Sequence, residues 1–274
     1  DKVAVYLEPC VEVLVSIFAL HKIGAVYVPI DPNFPPARVQ SILEEVDPKL
    51  ILVLENVENI PSSYQALCDS IGDISCRTGN VSNPSVVVEV GCLSHIYFTS
   101  GTTGKPKGAL STHKNLYHYI SVSRDRFGFV SSDVLLAVAR FTFSISMFEL
   151  MTPLVVGGCV KLLSREAVLD LEVLANEVSA STVIQFGPSL LKKLLPHIRS
   201  NYSSFEAFDV VRHASTGGDM VPVEILEEMR LIFKNAEVFV FYGASEISVM
   251  GCAYEVPKDR VVTKTLVGKP HKNV

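Results

Sequence analysis

The chain opens by alternating two kinds of hydrophobic pattern. Residues 3–7 (VAVYL) form an apolar, β-rich run, and behind them Val11, Leu14, Val15, Phe18 and Ala19 recur at helical spacing. This predicts a strand, a helix over 9–22 ended by Gly24, and a second strand over 25–30 (AVYVPI). A turn and a proline-started helix over 31–46 follow, then a strand over 49–54. Residues 55–92 lose the rhythm, and their Pro, Asn and Ser clusters mark surface connections. It resumes with a strand over 94–98, a polar loop and a helix near 112–127. Further strands are predicted over 134–139, 182–186, 210–215 and 237–243. Helices are predicted over 146–155, where Gly157-Gly158 ends the segment, and near 166–178, 188–196 and 222–233. Strands alternating with helices argue for an α/β fold with largely parallel sheets and helices on their faces. A boundary between two α/β lobes could fall near residue 90.

Composition narrows this picture. Hydrophobic residues make up 48% of the 274 positions and charged ones 19%, a balance that can bury a full core. The net charge of −5 comes with scattered lysines and arginines, which gives no footprint for nucleic acid. No apolar run reaches the roughly 18 residues of a membrane span. Cys10, Cys68, Cys76, Cys92, Cys159 and Cys252 form no CxxC pair and read as reduced thiols of a cytoplasmic protein. The chain starts at Asp1 on a strand-like run and ends at VGKPHKNV with no closing helix, so a piece of a longer polypeptide is expected.

The candidate chemistry begins at residues 97–108, YFTSGTTGKPKG. Two lysines, three glycines and four hydroxyls fall between Thr99 and Gly108, directly behind an apolar strand. Glycines let backbone N–H groups turn toward an anion, hydroxyls add donors and lysines add charge. The Walker pattern fails, because Pro106 stands where the second glycine is needed and also follows Lys105. No G-x-G-x-x-G is present, so a dinucleotide site has no support. A solvated surface turn is the plainer reading. The crowding of Ser100, Thr102, Thr103, Lys105 and Lys107 behind one strand favours a phosphate cradle.

The same stretch resembles the phosphate-binding signature of the adenylate-forming superfamily, which includes adenylation domains of nonribosomal peptide synthetases, acyl-CoA synthetases and luciferases. Other matches follow in the family's order. HKIGAVYVPIDPNFPPARVQSIL (21–43) resembles the upstream motif of the peptide-synthetase branch, and RFTFSISMFELMTPLVVGG (140–158) the segment that opens the acid pocket. STGGDMV (215–221) is similar to the Gly-Gly-Glu region, with Asp219 for glutamate. FYGASEIS (241–248) is similar to the Tyr-Gly-x-Thr-Glu motif, with Ser245 for threonine. The resemblance implies the N-terminal core of an adenylate-forming enzyme, two layered α/β subdomains without the mobile C-terminal subdomain. Residues 1–274 would form a partial adenylation domain, inactive by itself.

The implied reaction is attack of a substrate carboxylate on the α-phosphorus of ATP, leaving an acyl-adenylate and pyrophosphate. By resemblance, Thr99, Ser100, Gly101, Thr102, Thr103, Gly104 and Lys105 wrap the β- and γ-phosphates, and Lys107 adds charge. Glu246 holds Mg²⁺, and Ser245 keeps a hydroxyl for a phosphate. Gly217, Gly218 and Tyr242 would lie against adenine, while Val240 departs from the asparagine common there. His113 matches a frequent histidine, though a packing or capping role is the plainer reading. The acid pocket maps to Ser144, Ile145, Phe148, Gln185, Ser215, Gly217, Phe241, Val249 and Met250; core packing is the other reading for Ile145 and Phe148. In relatives that activate α-amino acids, an aspartate at the position of Ser144 pairs with the substrate ammonium. A neutral pocket implies a hydroxy, keto, aryl or fatty acid. The acyl group would pass to the phosphopantetheine thiol of a carrier protein. The alternatives are a standalone acyl-CoA ligase and a non-catalytic scaffold domain. The loop at 99–108 is expected to connect a buried strand to a following helix and to lie exposed beside Glu246.

Overall fold

The computed structural model describes residues 1–54, 57–73, 82–100, 105–247 and 249–272. They form two compact units, one of Asp1–His118 with Arg140–Ser144 and one of Tyr119–Ala139 with Ile145–Val274. The division therefore does not fall near residue 90. The strands on either side of that position share a sheet, so the irregular stretch before it is a connection within one unit.

The first unit is built on a six-stranded sheet. In chain order its strands are β1 (Lys2–Tyr6), β2 (Val26–Ile30), β3 (Leu50–Val53), β4 (Cys68–Ser70), β5 (Leu93–Ser100) and β6 (Pro106–Thr112). Their spatial order is β4-β3-β1-β2-β5-β6. All neighbours are parallel except β5 and β6, which are antiparallel. β2 is buried along its whole length, which is why VYVPI reads as a continuous apolar run. Helix Pro36–Val46 starts with proline in its first turn and packs Val39, Ile42, Leu43 and Val46 with Ala4, Val28 and Ile51.

The second unit carries a seven-stranded sheet. Its strands are β7 (Val134–Ala137), β8 (Cys159–Leu162), β9 (Val183–Phe186), β10 (His213–Gly217), β11 (Glu237–Tyr242), β12 (Cys252–Glu255) and β13 (Lys269–Pro270), in the order β13-β12-β11-β10-β9-β7-β8. β8 through β11 are parallel, and β12 and β13 add an antiparallel edge. One face packs Ile184, Phe186, Ala214, Val238 and Val240 with apolar residues of helices Leu171–Val178, Pro188–Asn201 and Val223–Ile232. On the other, Phe127, Phe129, Phe148, His213, Phe239 and Phe241 form one ring cluster.

Several expectations change in detail. The polar loop does not lead straight into a helix; residues 106–112 return as β6, and the helix His113–Phe127 follows that strand. Thr112 and Asn115 close the helix start reciprocally, with Thr112 N donating to Asn115 Oδ1 (3.1 Å) and Asn115 N donating to Thr112 Oγ1 (3.2 Å). The helix expected over 166–178 is two, Arg165–Leu169 and Leu171–Val178, because the Asp170 carboxylate accepts from the N–H groups of Glu172 and Val173. The helix begun at Pro188 runs through Pro196 to Asn201. Burial of Leu191, Leu194, Leu195 and Ile198 offsets an internal proline costing about 3 kcal/mol. The helix expected over 146–155 ends at Met151 and is followed by a 3₁₀ turn, Leu154–Val156. Among the described residues, no helix is long and apolar enough to cross a membrane.

One ionic knot joins the starts of β7, β9 and β10. Asp133, 2% exposed, accepts from Arg212 Nε (2.7 Å), Thr182 Oγ1 (2.9 Å) and Val130 N (2.8 Å). Removing Arg212 leaves a buried carboxylate without its counter-charge, so Arg212→Ala is predicted to cost about 3 kcal/mol. Urea denaturation of wild type, Arg212→Ala and a double leucine variant at 133 and 212 tests this. The double variant is expected to recover part of the loss, and equal stability of Arg212→Ala and wild type would contradict the assignment.

Candidate functional site

Of the phosphate-loop candidates, Thr99 and Ser100 end β5, Lys107 lies on its antiparallel neighbour β6, and Lys105 immediately precedes β6. Thr99 pairs with Lys107 and Ser100 with Pro106, so the two arms are in register at the mouth of the loop. Thr99 is half-buried, and its hydroxyl is 3.5 Å from the Lys107 carbonyl. Lys105 and Lys107 are exposed. Gly101, Thr102, Thr103 and Gly104 lie outside the described residues. Gly108 stands opposite Phe98, and a Cβ there would come within 2.8 Å of Ile96 Cγ2, so this arm of the hairpin needs a small residue. His113 packs edge-on against His21, ring centroids 5.0 Å apart, and partial burial lowers its pKa. That favours the packing role. Among the described residues, no group of three or more His, Cys, Asp or Glu could hold a metal.

In the second unit, a cleft of about 340 Å³ opens beside the ends of β10 and β11. Residues 218–221 form one wall, 240–243 a second and 265–267 a third. Met220, Tyr242, Leu266 and Val267 line it with 85%, 56%, 41% and 53% of their surfaces exposed. Large apolar side chains left in water around one concavity suit a flat, weakly polar ligand. Gly218 and Tyr242 line this cleft, as the adenine assignment requires; Gly217 does not. A Cβ at Gly217 would lie 2.2 Å from the Phe241 carbonyl oxygen, so that glycine serves the packing of β10 on β11. At Gly243 a Cβ would lie 1.8 Å from the Val249 carbonyl oxygen. The third wall was not found from sequence, because residues 265–267 carry no periodicity.

Glu246 is exposed on the 3₁₀ turn Ser245–Ile247, and Ser245 beside it is half-buried. The turn is closed by Ile247 N and Val249 N, each 3.1 Å from the Ala244 carbonyl. One carboxylate can serve Mg²⁺ only in company with other oxygens, the mode in which this ion binds phosphates.

The acid-pocket candidates are distributed as follows. Gln185 and Ser215 are register partners on β9 and β10, buried to 4% and 1% exposure. Ser215 Oγ donates to the Ile184 carbonyl (3.3 Å). Phe148 is fully buried and meets Phe241 edge-on, ring centroids 5.5 Å apart, so core packing describes it as it stands. Ile145 is half-buried, and its carbonyl accepts from the N–H groups of Phe148 and Glu149. Val249 and Met250 are buried, and Val249 holds φ at +81°, a costly value for a β-branched residue. Ser144 is half-buried and belongs to the first unit.

Two buried titratable groups beside these positions were missed. His213 stacks on Phe239 with ring centroids 5.0 Å apart, and burial pulls its pKa down to about 3. Glu149 is fully buried, and its Oε2 accepts from the N–H groups of Val138 and Ala139, each at 2.9 Å. Its Oε1 has no hydrogen-bond partner, and burial pushes its pKa up to about 8. A glutamate in an otherwise apolar helix, SMFELM, is the sequence signal that could have found it.

A family model described as AMP-binding enzyme matches residues 1–274. Surfactin synthase subunit 2 of Bacillus subtilis is 27% identical over 282 residues, covering 100% of this chain and 8% of its own length. Tyrocidine synthase 1 of Brevibacillus parabrevis is 27% identical, covering 99% of this chain and 24% of its own. The chain thus spans less than a quarter of these relatives. Among solved structures, the four-domain nonribosomal peptide synthetase holo-AB3403, bound to AMP and glycine, superposes at a TM-score of 0.79 and 26% identity. The alignment covers 99% of this chain and 19% of that one. The nonribosomal peptide synthetase FmoA3 in its AMPPNP-bound form shares the fold at a TM-score of 0.85 and 23% identity, covering 99% of this chain and 29% of that one. The mixed α/β architecture with two sheets is that of nonribosomal peptide synthetase adenylation domains.

Glu149 makes a pH prediction. Its carboxyl releases its proton near 4.5 in the unfolded chain and near 8 in the folded one. Between those values the folded state holds the extra proton, so the associated stability is full below pH 4.5 and is lost as pH rises through 8. Glu149→Gln cannot titrate. Thermal unfolding of both proteins from pH 5 to 8 is expected to show the stability difference moving steadily in favour of Gln as pH rises. The buried histidines are common to both proteins and cancel; a difference independent of pH would contradict the buried-acid assignment.

Proposed function

Because the chain belongs to the family of AMP-binding enzymes, matched over all of its residues, we propose that the full-length protein activates a carboxylic acid with ATP. The products are an acyl-adenylate and pyrophosphate. The observation that carries this reading is the apolar cleft at the ends of β10 and β11, which Gly218 and Tyr242 line. It suits a purine ring, and a ligand at strand C-termini is the usual arrangement in parallel sheets.

The chain's residues divide the work. The cleft orients the base. Lys105 and Lys107, with Thr99, Ser100 and the glycine- and threonine-rich residues 101–104, hold the β- and γ-phosphates and offset the charge that pyrophosphate carries away. Glu246 would hold Mg²⁺, with Ser245 close by in sequence; the ion, when bound, neutralises phosphate charge. The rate gain comes from holding the attacking carboxylate in line with the α-phosphorus. The acyl group then passes to the phosphopantetheine thiol of a carrier protein; the upstream motif at 21–43 and the peptide-synthetase relatives support this over coenzyme A. The described cysteines, Cys10, Cys68, Cys92, Cys159 and Cys252, are all free, which supports a cytoplasmic location.

The acid is one without an α-ammonium. Ser144 offers a hydroxyl, and the remaining pocket candidates are neutral. Glu149 is no substitute anion, since it is sealed in the core and turned to the backbone of Val138 and Ala139. Desolvating an ammonium without a counter-charge costs several kcal/mol, and about 3 kcal/mol already exceeds a hundredfold in selectivity.

In ATP–pyrophosphate exchange by the full-length protein, hydroxy, keto, aryl or aliphatic acids are expected to exceed the matching α-amino acids at least about tenfold. Ser144→Asp should narrow or reverse that preference; amino acids winning with Ser144 in place would refute the pocket assignment. Glu246→Gln is expected to abolish exchange while leaving the melting temperature unchanged, and unaltered exchange would mean another residue holds the metal.

A further inference from the structure

The third wall of the cleft has no helix or strand to support it. Between β12 and β13 the chain runs irregularly, and three clamps between side chains and main-chain groups fasten it. At the near end, Arg230 of helix Val223–Ile232 donates to the carbonyls of Lys258 (2.8 Å) and Arg260 (3.1 Å), and Glu227 accepts from Val262 N (2.9 Å). In the middle, Thr265 Oγ1 donates to the Val221 carbonyl at 2.7 Å, which ties the third wall directly to the first. At the far end, Arg126 of helix His113–Phe127 donates to the carbonyls of Lys269 (3.1 Å) and Ala253 (2.7 Å). Leu266 and Val267 lie between the second and third clamps and turn apolar side chains to the cleft.

The two outer clamps hold the strap's main chain from side chains on neighbouring helices, whereas the middle one depends on the strap's own Thr265 hydroxyl. A strap without regular structure keeps its position through such bonds and through the burial of Val262 in the core. Free, it would have to be ordered each time a ligand binds, at a cost in affinity. The carbonyl of Val221 sits in the loop that opens the cleft from the opposite side, so the Thr265 bond fixes the separation of two walls.

We propose that Thr265 and Arg126 are positioning residues for the nucleotide, holding Leu266 and Val267 as a preformed wall against its base. The proposal rests on the nucleotide reading of the cleft and goes beyond it by naming what sets the cleft's width.

The test uses the full-length protein and the variants Thr265→Val, Thr265→Ser and Leu266→Ser, with KM for ATP and for the acid measured separately by exchange. AMP binding is titrated by calorimetry, and melting temperatures are recorded. Thr265→Val keeps the shape and removes the donor. It is expected to raise KM for ATP about tenfold, the scale of one lost hydrogen bond, with KM for the acid and the melting temperature unchanged. Thr265→Ser restores the donor and should return KM for ATP to within about twofold of wild type. Leu266 is 41% exposed, so Leu266→Ser tests the wall without disturbing the core and should also weaken ATP. If wild type binds AMP and both Thr265→Val and Leu266→Ser keep its KM for ATP, the proposal alone fails. It also fails if Thr265→Val raises both KM values together and lowers the melting temperature, the mark of a merely structural residue. Wild type that binds no AMP overturns the adenylation reading and this proposal with it.

Discussion

Main chain packed directly on main chain, at Gly217 and Gly243, is the constraint on which the second unit's cleft depends. At both positions any side chain would drive a Cβ into a carbonyl oxygen, of Phe241 in one case and Val249 in the other. Neighbouring strands ordinarily keep their spacing through backbone hydrogen bonds, with side chains projecting to the two faces of the sheet. Here the ends of β10 and β11, and the turn returning at Val249, close to backbone contact, which fixes where Tyr242 and the 218–221 wall stand. The positive φ of Val249 shows the same tightness on the other partner: a buried, β-branched residue is held where only strong surroundings keep it.

Charge is arranged around this framework in a consistent way. Of the titratable groups inside, His213 and Glu149 are held neutral near pH 7 by burial, whereas Asp133 keeps its charge against Arg212; burial likewise pulls His95 in the first unit down to about 3. The charged candidates, Lys105, Lys107 and Glu246, are exposed on turns and loop mouths. Such groups carry little desolvation penalty before a ligand arrives, and the two lysines present positive charge to a polyanion. Glu149 shows why burial by itself does not make a catalytic acid. Two backbone N–H groups already occupy one of its oxygens, and the residue has no access to solvent.

Much of this was legible in the sequence, and the failures have physical causes. The parallel strands announced themselves because strands buried on both faces read as apolar runs, as VYVPI does. β6 was hidden because its residues are half polar and follow a loop so rich in glycine and threonine that the return strand looked like more loop. The helix runs on through Pro196 because the buried stripe of Leu191, Leu194 and Leu195 continues at Ile198, which outweighs the local rule about proline. In the cleft, Gly218 and Tyr242 came from a motif. Gly217, from the same motif, lies outside the lining and serves strand packing, and Leu266 and Val267 were invisible because contacts between positions distant in sequence hold them there.

The central claim is that the cleft framed by 218–221, 240–243 and 265–267 holds the base of ATP. Photolabelling of the full-length protein with 8-azido-ATP, followed by mass-spectrometric mapping, addresses it most directly, since the reactive nitrogen sits on the purine itself. The account predicts adducts within those three segments, Tyr242 and Leu266 foremost, and their loss when excess ATP is present. Adducts that excess ATP suppresses but that lie elsewhere in the chain, or labelling of the cleft that excess ATP leaves untouched, would contradict it.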